Sequence, residues 1–540
     1  MKSSFPGCGR RTALVLAGAS AADAALSVPM PDTKGSHGTV SKRGGTLNML
    51  IEPEPPTLVA LTNSADPSLL VSAKVTEGLL SYDFDLNPRP QLATHWSVSP
   101  DGQQIAFRLR KGVTWHDGTA FTSQDVAFSI ALLKEVHPRG RTTFAGVAEV
   151  QTPDLYTAIV VLSKPAPFLL YALAASESPI VPRHVYEGTD VQSNPNGSAP
   201  IGTGPFVFRK WVRGSHIIYD RNPVYWDVPK PYIDRLVIRF IEDTAVKVSA
   251  IETGYIDLAP GTPVPLGELR RLASDPDLVF EPNGYQYTNQ LVRLEFNLDS
   301  RQLGRLEVRQ AIAHAIDRQM IVDQAWLGYA EAAFGPISPD LKRFYTPNLP
   351  TPAFDPARAE RLLDQAGLPR GTNGVRLELA LDYVPAGDGY KRTAACISQA
   401  LSAIGVEATP RHQDFPSYIK RIYTDRSFDL AVSRMNNMFD PTVGVQRVFW
   451  SRSFRRGVPF SNGSHYESRE VDEILERAAV EIDASRRLRY FQEFQRIIVR
   501  DLPDVTLLAP KQITIASKRV LDHTVTADGT AGNLADAYVV

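Results

Sequence analysis

Residues 92–129 read LATHWSVSPDGQQIAFRLRKGVTWHDGTAFTSQDVAFS, and how they are read decides the fold. The alternation in QIAFRLRKGVTW, residues 104–115, suits one arm of a half-buried hairpin. Gly112 and Gly118 bracket a tight turn, and His116-Asp117-Gly118-Thr119 has the composition of that turn. Thr122 stands three residues before Asp125, a capping-box spacing that opens a helix. Val126, Ile130 and Leu133 give that helix its buried stripe. His116 and Asp117 are residue types of a catalytic dyad, but no nucleophile accompanies them. The stretch reads as a hairpin-to-helix corner.

Working outward, 540 residues exceed one ordinary core and imply about three structural units. Hydrophobic residues at 43% and charged residues at 22% are a normal globular balance, which excludes disorder as the main state. Lys plus Arg (58) nearly cancels Asp plus Glu (59), so no global field favours nucleic acid or an anionic membrane. Residues 1–24 run from Lys2, Arg10 and Arg11 through an apolar stretch to Ala22-Asp23-Ala24. That order is a cleavable secretory signal, its apolar run too short to span a bilayer. The paired arginines leave both the general and the twin-arginine export routes open. Cys8 precedes the apolar run and leaves with the signal, so no lipid anchor is expected. Cys396 then stands alone, which excludes an internal disulfide and a cysteine-based zinc site. The expected mature chain is periplasmic and free.

Residues 25–45 are small, polar and aperiodic, a disordered lead-in. GTLNMLIEP at 45–53 is the first strand, and Leu70, Val71, Val75 and Leu79 mark a helix after it. NPNGSAPIGTGPF at 194–206 is a Gly/Pro loop. In the second half, LEVRQAIAHAIDRQMIVDQAWLG at 306–328 reads as one helix ending at Gly328. Asp355 caps a second helix, with Pro356 at its first position and Gly367 past its end. VRLELALDY and FDLAVSRM are strands with a helix between them, and residues 468–503 supply one or two further helices. This alternation predicts an α/β lobe whose sheet is covered by helices.

With these elements in place, the chain resembles the extracellular solute-binding proteins of peptide- and nickel-type ABC importers, the oligopeptide- and dipeptide-binding family. The block at 92–129 carries the resemblance first. IGTGPFVFRKW, RNPVYW, IETGYIDL, VRQAIAHAIDRQMIV and FDPARAERLLDQAG follow in the family's order. The resemblance implies a two-lobed periplasmic-binding-protein-like α/β fold, with an extra subdomain in the first lobe and a hinged ligand cleft. It places the first lobe at 46–85, 202–290 and 506–540, the extra subdomain at 86–201 and the second lobe at 291–505. The crossings would fall near LEFNLDS and DLPDVTLL. It also implies a monomer that hands its cargo to ABC permease subunits and their ATPases, without a cofactor.

For such a protein the informative chemistry is an orienting polar group in a closing cleft. The loop after FDLAVS, RMNNMFDPTVGVQRVFW at 434–450, lies at a strand end, where ligands meet α/β sheets. In peptide-binding members an Asp three residues before an Asp-Pro pairs with the peptide's α-amino group. Here the Asp-Pro is Asp440-Pro441, and Asn437 holds the matching position. Asn accepts a hydrogen bond but supplies no charge, and charge-assisted bonds are about twice as strong. The cargo is therefore a peptide, a modified peptide, or an opine-like or sugar conjugate. Arg434 offers a planar fork for a carboxylate or phosphate, and Asn436 a second amide, although Asn also favours plain turns. Trp450 beside Phe449 is a candidate aromatic wall, and Asn297 a candidate at the first crossing, with hinge bonding as its alternative. The ten histidines are scattered, with no H-x-x-x-H or H-E-x-x-H, so no metal site is expected. No G-x-S-x-G elbow or Walker loop appears, so no enzyme is expected. An exported hydrolase, a metal-chelate carrier and a ligand-presenting partner of a chemoreceptor are the competing readings.

Overall fold

The computed structural model describes residues 42–540; the expected signal and the lead-in up to residue 41 lie outside them. The last four residues assigned to the lead-in are anchored. Gly44 donates to the Tyr232 carbonyl at 2.9 Å, Gly45 accepts from Asp234 at 2.9 Å, and the Lys42 ammonium lies 4.4 Å from the Tyr538 ring centre. Two glycines with positive φ and a following strand hold this short segment in place.

A seven-stranded sheet runs Leu278–Glu281, Thr514–Ser517, Leu258–Ala259, Thr46–Ile51, Arg235–Phe240, His216–Arg221 and Phe206–Val212. Thr46–Ile51 and Arg235–Phe240 pair in parallel, which demands a long crossover. That connection contains a four-stranded antiparallel sheet of Ala93–Val98, Gln104–Leu109, Thr157–Leu162 and Val147–Asp154. A six-stranded mixed sheet runs Ala330–Ala332, Asp504–Pro510, Gln290–Phe296, Leu430–Asn436, Leu377–Tyr383 and Val406–Arg411, with helices packed against it. The molecule is thus a two-lobed α/β protein.

The crossings differ from those expected. Leu294 pairs with Val505 and Glu295 with Asp504, so residues 294–296 and 504–508 of the stretches assigned to crossings are buried ladder in the six-stranded sheet. The chain instead passes between sheets at 282–289 and 511–513, and Asp504–Pro510 stays in the second sheet beyond the boundary drawn at residue 505. Continuous apolar runs are strands in a buried sheet centre, and the polar, glycine-bearing segments beside them make the turns.

The corner at 112–126 forms as read. The Thr122 N–H is bound by the Asp125 carboxylate at 2.9 Å in a capping box that opens the helix Ser123–Val136. The apparent dyad is split: Asp117 binds His184 at 2.6 Å, whereas His116 Nε2 meets the Gly204 carbonyl at 2.9 Å and fastens the corner to the 201–206 loop. The helix expected over 306–328 is two, Leu306–Ala315 and Arg318–Ala325. Asp317 breaks it by capping the Gln319 and Met320 amides, an aspartate preference that overrides continuous apolar spacing.

Candidate functional site

A cavity of about 610 Å³ opens between the two large sheets. One wall comes from the seven-stranded side: Glu52, Asp66, Lys247 and the proline-rich 260–265 loop. The opposite wall comes from the six-stranded side: Gln290, Trp326, Tyr390, Arg434 and Asn436. The extra subdomain contributes Arg139, Ser176 and Glu177. The crossings themselves add Tyr285, Thr288 and Lys511.

Arg434 and Asn436 sit at the C-terminal end of Leu430–Asn436, where period-two alternation brings both to one face. Asn436 Oδ1 accepts from Gln290 Nε2 at 3.2 Å, and Gln290 Oε1 accepts from the Tyr390 hydroxyl at 3.0 Å. That chain sets the Tyr390 ring edge-on to Trp326, centroids 5.5 Å apart, while the Trp326 N–H donates to Thr393 at 3.0 Å. Gly389 makes the approach feasible, since a Cβ there would lie 2.9 Å from the indole. Burial pushes the Tyr390 phenol up to about 12, with Arg434 pulling it down and Asp66 up. The wall is therefore polar at its surface yet pre-ordered by its own hydrogen bonds.

The charges divide into paired and unpaired sets. Lys247 pairs with Glu52, and Arg139 Nε donates to Glu177 at 2.7 Å. Asp528 lies buried near the Lys74 ammonium, which donates to the Thr530 carbonyl at 2.7 Å. Among the described residues, Arg434 has no carboxylate partner; its guanidinium lies 5.7 Å from the Phe460 ring centre. Asp66, Asp388 and Lys511 likewise make no ion pair among the described residues.

Of the residues singled out in the sequence, the structure brings Arg434 and Asn436 to the cavity and leaves the others away from it. Asn437 is fully buried, just past the strand. Its Oδ1 accepts from the Ser338 amide, its Nδ2 donates to the Pro336 carbonyl at 3.2 Å, and its N–H binds the Asn289 carbonyl at 2.9 Å. Its side-chain amide and its N–H both brace backbone of other segments. Asp440 is held by Arg487 through two bonds of 2.7 Å and caps the Thr442 amide at 2.9 Å. Trp450 ties its indole N–H to Glu476 at 3.1 Å under Arg452, and Phe449 packs on Phe494 in the core. Asn297 donates to the Phe428 carbonyl at 2.8 Å and accepts from Arg426 at 2.7 Å, away from the cleft. His412 meets Tyr383 and His465 meets Asp299, and among the described residues no three His, Cys, Asp or Glu side chains gather as a metal site.

Asp66, Arg139, Glu177 and Tyr390 escape a reading by motif. They come from four distant segments, and only the packing of the lobes unites them. The one local signal is the Gly387-Asp388-Gly389-Tyr390 turn, whose small residues mark a close approach.

Against known proteins, the model of the bacterial extracellular solute-binding proteins, family 5 Middle, matches residues 87–454. A Brucella ovis protein, named for peptide binding in an ABC transporter, is 28% identical over 465 residues, covering 82% of this chain and 83% of its own. The oligopeptide-binding protein AppA of Bacillus subtilis, solved with a nonapeptide, superposes at a TM-score of 0.77 and 21% identity, over 93% of this chain and all of its own. AgaA of A. tumefaciens R10, solved with agropinic acid, superposes at 0.74 and 25% identity, over 92% and 99%.

Proposed function

Because the chain belongs to the bacterial extracellular solute-binding proteins of family 5, the solute-capturing components of ABC importers, we propose that its cleft takes a peptide or peptide-like solute and presents it to a membrane permease. The observation that carries this reading is the 610 Å³ cavity between the sheets, walled by ordered aromatic rings and by an unpaired guanidinium at Arg434. That combination of aromatic rings with a few fixed polar groups suits capture of an oriented small solute. The protein acts as an exported monomer and does no chemistry on its cargo. The lining supports this with amides, hydroxyls and fixed charges in place of a nucleophile beside a base. Hydrolysis of ATP belongs to the partner subunits.

A second reading is favoured by one observation. Asn437 is sealed behind the wall, so the cavity lacks the loop carboxylate that serves a peptide's amine in peptide-binding members. An opine-like cargo, as in AgaA, then competes with a peptide. Native mass spectrometry of protein purified from its own host decides between them. Release of short peptides on denaturation is the expected result; release of an opine, sugar conjugate or metal chelate overturns the peptide reading.

A further inference from the structure

The cleft's unpaired charges lie on opposite walls, and this determines what bridges them. Lys247 and Arg139 are satisfied by Glu52 and Glu177, and Asp528 is sealed near Lys74. Arg434 projects from the six-stranded sheet, its guanidinium free of any carboxylate among the described residues. Asp66 opens the helix Asp66–Ser72, whose Val71 packs into the core of the seven-stranded sheet, and its carboxylate makes no hydrogen bond or ion pair among the described residues. Asp66 lines the same cavity as Arg139, Tyr390 and Arg434, and its charge acts on both Tyr390 and Arg139. Asp388 is unpaired too, but it stands on Arg434's own wall, after the strand Leu377–Tyr383, and does not span the cleft. Lys511 lies exposed at the second crossing.

We propose that the cargo is a zwitterion read across the cleft, its carboxylate held by Arg434 and its cationic nitrogen by Asp66. Asp66 thereby takes, from the first wall, the task that buried Asn437 does not perform from the second. A ligand touching both residues makes its full set of bonds only when the walls are close, so the two contacts also favour closure. The assignment rests on the reading of this cleft as the site of solute capture.

The test exposes ligand-stripped protein to a mixture of short peptides, free amino acids and opines, each unmodified, N-acetylated or C-amidated. Retained compounds are identified by mass spectrometry and their affinities measured by calorimetry. Unmodified compounds are expected to be retained, with either block weakening binding at least tenfold. Asp66→Asn should weaken unmodified compounds at least tenfold and leave N-acetylated ones unchanged. Arg434→Gln should do the same with C-amidated ones unchanged, and Asp388→Asn should match wild type. Melting curves confirm that each variant is folded, and Arg434→Lys should recover part of the lost affinity. Peptides retained regardless of blocking, or equally by wild type and both variants, overturn the charge pairing and leave the peptide cargo standing. Retention of amino acids or opines alone, lost in both variants, overturns the peptide cargo and supports the pairing. Retention of nothing overturns both.

Discussion

Asn437 is one residue from Asn436 in sequence, yet it stands behind the wall that Asn436 faces. The Leu430–Asn436 strand carries Arg434 and Asn436 to the cavity by alternation, and the next residue turns inward to hold the 336–338 segment. Asn437→Asp exchanges the amide donor for a second oxygen against the Pro336 carbonyl and adds a buried charge. A loss of about 1–3 kcal/mol is expected on urea denaturation, with no gain in affinity for free peptides. An equally stable variant that bound peptides more tightly would place the residue in the cleft after all. Asp440→Ala strips Arg487 of both its 2.7 Å bonds inside the core and should cost about 3–5 kcal/mol, read in the same experiment. At this scale the sequence was legible in the strand FDLAVS, but residues 434–436 read as loop, and it is the strand's continuation to Asn436 that sets Arg434 and Asn436 on one face. Nor was the sequence legible for Asn437, Asp440, Trp450 and Asn297, whose partners Pro336, Arg487, Glu476 and Arg426 lie far along the chain. No local pattern shows which side of a loop a side chain takes when its partner is remote.

Among elements, capping chemistry was readable and interruptions were not. Thr122 with Asp125, and Asp355 before Pro356, cap their helices as their spacing requires. Asp317 broke an apolar repeat that looked continuous, because its carboxylate satisfies two amides where periodicity alone predicts another turn. The junction between the subdomain and the seven-stranded sheet depends on Glu77, which accepts from Gln91, Thr203, Tyr225 and Trp226 at 3.3, 2.9, 2.8 and 2.9 Å. Burial pushes its carboxyl up to about 7, against the pull of those donors. A raised carboxyl holds its proton more firmly in the folded chain than in the unfolded one. Its contribution is therefore complete below the unfolded value and is lost as pH rises through about 7. Lys74, lowered by burial to about 7, changes stability above that pH. His137, lowered by burial to about 4, acts within the window from pH 5 to 7 but equally in both proteins, so the comparison with Glu77→Gln isolates Glu77. Over that window wild type should lose roughly 2 kcal/mol relative to Glu77→Gln, following about 1.4 kcal/mol per proton per pH unit. Parallel stability profiles for the two proteins would show that Glu77 is already ionised. Gly389 offers a second test at an element end. A Cβ there meets the Trp326 indole at 2.9 Å, so Gly389→Ala should cost about 1–3 kcal/mol through displacement of the helix Asp388–Ala403, measured by denaturation.

At the scale of the whole molecule, the alternation of strands and helices showed the second lobe, and the ordered blocks of residues showed the family. The cleft lies beyond such patterns, because it is made where 46–70, 139–177, 260–290 and 386–436 converge without sharing a motif. The crossings were misplaced for a related reason: short apolar runs do not show whether they are paired strands until their partners along the chain are known. Once the walls are placed, closure becomes a matter of contacts between them. Arg270, on the helix Leu266–Leu272 that follows the seven-stranded sheet's Leu258–Ala259, donates to the Leu327 carbonyl at 2.9 Å beside the six-stranded sheet's Ala330–Ala332. Leu327 holds a positive φ of 52°, which turns that carbonyl out of the end of the helix Arg318–Ala325. Neither residue lines the cavity, so removing the bond changes the opening equilibrium without touching the cargo. A hydrogen bond of this kind is worth about 0.5–1.5 kcal/mol, so Arg270→Ala should weaken cargo binding by roughly 2- to 12-fold. The loss should fall on the dissociation rate, because the bond exists only where the walls are closed and is broken as they open. Small-angle scattering should show the unliganded variant more extended than wild type and the two equally compact at saturating cargo. An unchanged dissociation rate, or unliganded variant and wild type of equal extension, would mean that the Arg270 contact does not hold the cleft closed.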